Sequence, residues 1–160
     1  MYVPPKSALI TTGAADKSAA PLVLVGKGIT FDPRGISLEP SADMKAMRGD
    51  MGGAATVCAT ALAIAKLTLP INLVVVTPLC ETLPGPSANK PGDIVHTMNN
   101  KTVEIDNTEA EGRLVLSDMI YYVTSTYKPN TVIDVATSTG AMMVALGSVY
   151  SGVFTNSDAL

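Results

Sequence analysis

The chain has 160 residues, enough for one domain, with 47% hydrophobic and 16% charged residues and a formal net charge of -3. That composition can build a core and excludes an intrinsically disordered chain. It has no basic stripe or aromatic stacking series, so it gives no footing for nucleic acid or an anionic membrane.

Residues 1–20 are rich in Pro, Ser, Ala and Lys with weak periodicity, and read as a leader or the end of an upstream segment. The opening Met1-Tyr2-Val3-Pro4-Pro5-Lys6 lacks the basic start and apolar run of a secretory signal. Pro21 to Phe31 (PLVLVGKGITF) reads as a buried strand ending in a Gly-flanked turn, and Pro33 to Pro40 punctuates the chain. Ser41 is positioned to cap a helix running to about Leu67. Its apolar face is formed by Met44, Met47, Met51, Ala54, Ala55, Cys58, Leu62 and Ala65. Gly52-Gly53 is a poor helical choice that a close backbone approach would explain. The most apolar part of that helix, Ala54 to Ala65, is well short of the ~20 residues a membrane span needs.

Ile71 to Cys80 is a continuous apolar run, expected as a central buried strand. Glu81 to Asp93 is a Pro/Gly loop. Ile94–Met98 and Lys101–Ile105 flank Asn99-Asn100 as a hairpin. Asp106 to Arg113 reads as a polar loop, Leu114 to Thr126 as an amphipathic helix and Thr131 to Ala136 as another buried strand. Thr137 to Gly147 is a small-residue segment, and Val149 to Phe154 is a candidate last strand. Alternating strands and helices predict an α/β fold, with a mostly parallel sheet and helices on both faces, that is incomplete within this chain. The two cysteines, Cys58 and Cys80, lie in apolar runs and read as reduced thiols in a reducing, cytoplasmic setting.

In open α/β sheets, sites form beyond the carboxyl ends of the strands. Lys27 and Asp32, then Glu109, Glu111 and Arg113, then Thr137, Ser138 and Thr139 fall there. Asp50 lies on or beside the apolar helical face. It needs either a lysine or arginine partner, or a cation shared with other carboxylates. Glu109, Glu111 and Arg113 share one parity if the segment is extended, although on that segment alone a solvated acidic loop before a helix is the favoured reading. The Gly26–Gly28 GKG lacks the spacing of a phosphate loop. His96 is the only histidine, which excludes a histidine-based zinc site, and no GxSxG elbow accompanies it.

Five segments then occur in one order: VGKGITFD, MRGDMGGAATV, PLCETLPGPSANKPGDIV, KTVEIDNTEAEGRLVLSD and DVATSTGAMMVALG. Together they resemble the catalytic domain of the leucyl aminopeptidase (cytosol aminopeptidase) family over about residues 21–156, and NTEAEGR is a highly specific motif. The resemblance implies that residues 21–160 are part of that catalytic domain. It implies two divalent metal ions, zinc or manganese, on Lys27, Asp32, Asp50, Glu109 and Glu111, with Lys27 binding through its neutral amine. The ions would activate water and polarise a scissile carbonyl. It also implies bicarbonate on Arg113, a substrate pocket at Met47 and Ser138, a peptide substrate and a homo-hexamer.

The departures from the family pattern concern the same chemistry. Glu39 stands where the family has a catalytic lysine that stabilises the developing oxyanion. Glu109 replaces an aspartate, Pro33-Arg34 replaces a small Gly-containing turn, and Ser138 replaces a leucine. The resemblance therefore implies an aminopeptidase with impaired activity. The alternatives are an inactive member with a structural or assembly role, and a protein that binds metal without hydrolysing peptides.

Overall fold

The structure is a computed structural model, and it describes residue 16 and residues 18–36 and 44–158. Glu39, the helix start at Ser41 and most of the 1–20 segment lie outside the described residues.

The apolar run Pro21 to Phe31 forms two strands, β1 (Leu22–Gly26) and β2 (Gly28–Phe31), which lie in different sheets. Lys27 is the break. Its backbone N–H donates to Val135 O at 2.9 Å, and its carbonyl accepts from Ala54 N at 2.8 Å. Ile71 to Cys80 divides in the same way, into β3 (Leu73–Val76) and β4 (Leu79–Glu81). Buried Pro78 at that break has no N–H to offer a ladder. β1 pairs in parallel with β3 and with β7 (Thr131–Val135), giving the order β3-β1-β7, while β2 pairs in parallel with β4.

Both faces of this sheet are covered by helices. Val23, Val25, Val74 and Val76 point one way, onto Leu116, Met119 and Val123 of α2 (Glu111–Tyr127). Leu24, Leu73 and Val75 point the other way, onto Val57, Ala61 and Ile64 of α1 (Gly52–Lys66). Side chains alternating across each strand produce this division. The fold class expected from the sequence is the one observed.

Several local expectations are corrected. The long helix is a 3-10 helix (Met44–Gly49) followed by α1, with Asp50 and Met51 at the junction. Its buried stripe is Gly53, Ala54, Val57, Ala61 and Ile64, so Ala55, Leu62 and Ala65 of the expected face are exposed. β7 is only partly buried, because it ends the described sheet with β1 as its one neighbour, and Ile133 is 46% exposed. Val149 to Phe154 forms no strand, and Val149, Tyr150, Val153 and Phe154 are all exposed. The small-residue segment contains a short helix, α3 (Gly140–Leu146), capped by the Thr139 hydroxyl. The hairpin is β5 (Asp93–His96) with β6 (Thr102–Ile105), joined through Thr97–Lys101 rather than by a two-residue turn, with Asn100 left-handed.

Gly52-Gly53 has the explanation expected for it. A Cβ on Gly53 would lie 2.1 Å from Val135 O and 2.9 Å from Lys27 N. The start of α1 therefore rests directly on the backbones of β7 and Lys27, at the carboxyl end of the sheet.

Candidate metal centre

Lys27 follows β1 and turns its side chain into the protein, where the residue is 4% exposed. An ammonium so far from water needs several acceptors. Its Nζ lies 2.9 Å from Asp50 Oδ1 and 2.8 Å from Oδ2, 3.0 Å from the Thr137 carbonyl and 3.3 Å from Glu111 Oε1. Gly112 makes room for it, since a Cβ there would sit 2.4 Å from Lys27 Cε. Thr137 also donates its hydroxyl to Asp50 Oδ1 at 2.7 Å, giving that carboxylate a second donor.

Asp32, at the end of the β2 segment, is 8% exposed and accepts the Arg34 N–H at 3.0 Å. Asp32, Asp50 and Glu111 each offer an oxygen, and the three oxygens lie within 4.8 Å of one another. Of the five positions expected to ligate metal, four are therefore gathered in one cluster: Lys27, Asp32, Asp50 and Glu111. Glu109 is turned toward a different cation, with its Oε2 2.7 Å from Arg34 Nε. Glu109 and Glu111 do not lie on one extended segment. Glu109 is in a 3-10 turn (Thr108–Ala110) capped by Asn107, and Glu111 begins α2.

The remaining candidates are placed less centrally. Arg113 is exposed in the first turn of α2. Half-buried Met47 contributes backbone, its carbonyl facing Asp32 N at 3.4 Å and Asp50 N at 3.5 Å. Ser138 is exposed beside Thr137. His96 is exposed on β5, and both cysteines are free thiols. Burial pushes the Cys80 thiol up, with Glu111 the next contributor.

Burial also raises the carboxyl groups of Asp32 and Glu111 above their ordinary values of 3.8 and 4.5. The Arg34 N–H opposes this at Asp32, and the backbone N–H at its own position opposes it at Glu111. The folded chain thus holds these two protons more tightly than the unfolded chain does. The stability they contribute is fully present below the unfolded values and is lost as pH rises through the folded ones. A bound cation acts in the opposite sense, by favouring the charged carboxylates.

The donor set fits a divalent cation. Four carboxylates, Asp32, Asp50, Glu109 and Glu111, face two cationic side chains, Lys27 and Arg34. Glu111 Oε2 is buried without a hydrogen-bond partner among the described residues. Carboxylate oxygens with one nitrogen suit zinc or manganese.

The catalytic-domain profile of the cytosol aminopeptidase family matches residues 3–160. The chain belongs to the cytosol aminopeptidase family. It is 58% identical over 149 residues to the cytosol aminopeptidase of Xenopus tropicalis, covering 93% of this chain and 28% of that protein. It is 55% identical over 159 residues to the probable cytosol aminopeptidase of Dechloromonas aromatica, covering 99% of this chain and 32% of that one. The chain thus spans about a third or less of the curated relatives it matches. The structure of Caenorhabditis elegans leucine aminopeptidase superposes with a TM-score of 0.81 at 37% identity, covering 87% of this chain and 28% of that one. The bottromycin maturation enzyme BotP, in complex with Mn, superposes with a TM-score of 0.74 at 43% identity, covering 82% of this chain and 30% of its own.

Gly112 was missed as part of the centre, because it has no side chain to attract notice. Thr137 was placed where the site forms and Arg34 at its edge, but their pairings with Asp50 and with Asp32 and Glu109 were not read.

Proposed function

We propose that this chain carries the metal centre of an aminopeptidase that removes N-terminal residues from peptides in the cytoplasm. The observation that carries this is the convergence of Asp32, Asp50 and Glu111 around buried Lys27 at the carboxyl end of a parallel sheet. Lys27, Asp32, Asp50, Glu109 and Glu111 would hold the divalent ions, and Arg113 would hold bicarbonate. Bound ions would supply Lewis-acid polarisation of the scissile carbonyl and water acidic enough to attack near neutral pH. The protein's own part is placement. Thr137 orients Asp50, and Gly112 admits the Lys27 chain. Met47 and Ser138 would line the substrate pocket. A homo-hexamer is part of the proposal by family membership.

We propose in addition that turnover is strongly impaired. Loss of one oxyanion donor typically lowers turnover ~100- to 1000-fold, and Glu39 places an anion where the family has a lysine. Glu109 reaches one methylene beyond the family aspartate, and sites weaken when groups are displaced by about half an ångström. A second reading, a structural or assembly role without catalysis, is favoured by the Arg34–Glu109 ion pair, which engages a ligand position with a fixed cation.

Purified protein with added manganese or zinc is expected to release little leucine from a chromogenic leucyl amide. Glu39→Lys combined with Glu109→Asp is expected to recover activity. Turnover of the parent near that of an ordinary family member would reject the impairment. A double variant that binds metal yet stays inert would show that these two residues are not its cause.

A further inference from the structure

Arg34 occupies an unusual backbone position. Its φ is 64°, in the left-handed region where glycine is the usual residue. From there it reaches two candidate ligands. Its N–H donates to Asp32 Oδ1 at 3.0 Å, and its Nε lies 2.7 Å from Glu109 Oε2. The turn that carries it is pressed against the Glu109 loop, since a Cβ on Gly35 would lie 2.9 Å from Thr108 Cβ. The side chain is therefore directed by its backbone. The Glu109 side chain is 19% exposed, so the pair is largely shielded on the carboxylate side.

This geometry separates Glu109 from the other carboxylates. Asp32, Asp50 and Glu111 converge, while Glu109 faces a guanidinium. A metal ion using Glu109 Oε2 would have to displace Arg34, and one using the buried Oε1 would lie close to the same permanent positive charge. We infer that Arg34 is a built-in cation standing in for one of the family's two metal ions, which leaves a one-metal centre on Asp32, Asp50 and Glu111 beside Lys27. The inference rests on the reading of this cluster as a metal centre, and it reduces that centre's capacity from two ions to one.

The test is a count of Mn2+ per chain on the purified protein after equilibration with excess metal, with electron paramagnetic resonance of the bound ion. The parent chain is expected to hold about one ion per chain, with the hyperfine-split spectrum of an isolated Mn2+. Arg34→Gly suits the left-handed backbone better than arginine does, and is expected to keep the fold. It should take up a second ion, whose coupling to the first broadens that spectrum. Arg34→Asn, which tolerates the same backbone, provides a second charge-free variant. Two ions in the parent would overturn the inference while leaving the metal centre standing. One ion in the parent and still one in both folded variants would overturn it as well, because Arg34 would then not be what excludes the second. No ion in any of the three would overturn the metal centre itself, and the inference with it.

Discussion

Replacing Lys27 with methionine is expected to destabilise the metal-free chain by about 3–5 kcal/mol, the range for removing one partner of a buried ion pair. The lysine side chain is 5% exposed, and those of Asp50 and Glu111 are 11% and 15% exposed. Methionine fills a similar volume, so the loss reports charge rather than a cavity. Without the ammonium, two shielded carboxylates face each other and Asp32 with no intervening positive charge. The Thr137 carbonyl also loses its donor. Urea unfolding of parent and variant in the presence of a chelator measures the difference. A loss below ~1 kcal/mol, the scale of an exposed pair, would mean that the cluster is more hydrated than its burial suggests.

Gly53→Ala is expected to destabilise the chain by about 3 kcal/mol, at the upper end for overpacking. Helix propensity alone predicts the reverse, since alanine is favoured over glycine by roughly 1 kcal/mol within a helix. Sterics win because the three atoms nearest the added Cβ are all backbone: Val135 O at 2.1 Å, Val135 C at 2.8 Å and Lys27 N at 2.9 Å. Backbone held in a parallel ladder cannot rotate away as a side-chain tip can. Relief requires α1 to lift from β1 and β7, which displaces Lys27 along with it. Thermal unfolding of the variant measures the effect. An unchanged or raised midpoint would contradict the close approach of α1 to the sheet.

These two residues show what was legible in the sequence. The alternation of apolar strands with helical segments predicted a sheet covered on both faces, and the structure places α2 and α1 on those faces. Gly52-Gly53 signalled a close approach and marks one. The break at Lys27 was signalled by its Gly-flanked turn, whereas the break at Pro78 was hidden inside a continuous apolar run. The Lys27 break is fixed by where its backbone bonds go, to Val135 and Ala54, both distant in sequence. Ile133 looked central because β-branched runs do not reveal which strand ends a sheet.

The site was legible as residues but not as pairings. Asp50 left open a choice between a lysine partner and a shared cation, and the structure supplies Lys27 in contact with it beside two further carboxylates. The parity argument for Glu109, Glu111 and Arg113 assumed extended backbone. Asn107 capping Glu109 N instead starts helical turns there, and this sends the two glutamates to different cations. No periodicity encodes that separation, because Arg34 and Glu109 meet only through the tertiary fold.

The most direct test of the central claim is the unfolding midpoint with and without Mn2+, at neutral pH and near pH 4. At neutral pH and about 100 times the dissociation constant, bound metal should stabilise the chain by about 2.7 kcal/mol. Near pH 4 that increment should be smaller, because burial raises the carboxyl groups of Asp32 and Glu111 and protons then compete with the cation for them. No stabilisation at neutral pH, or an equal increment at both pH values, would contradict a divalent cation held by these carboxylates.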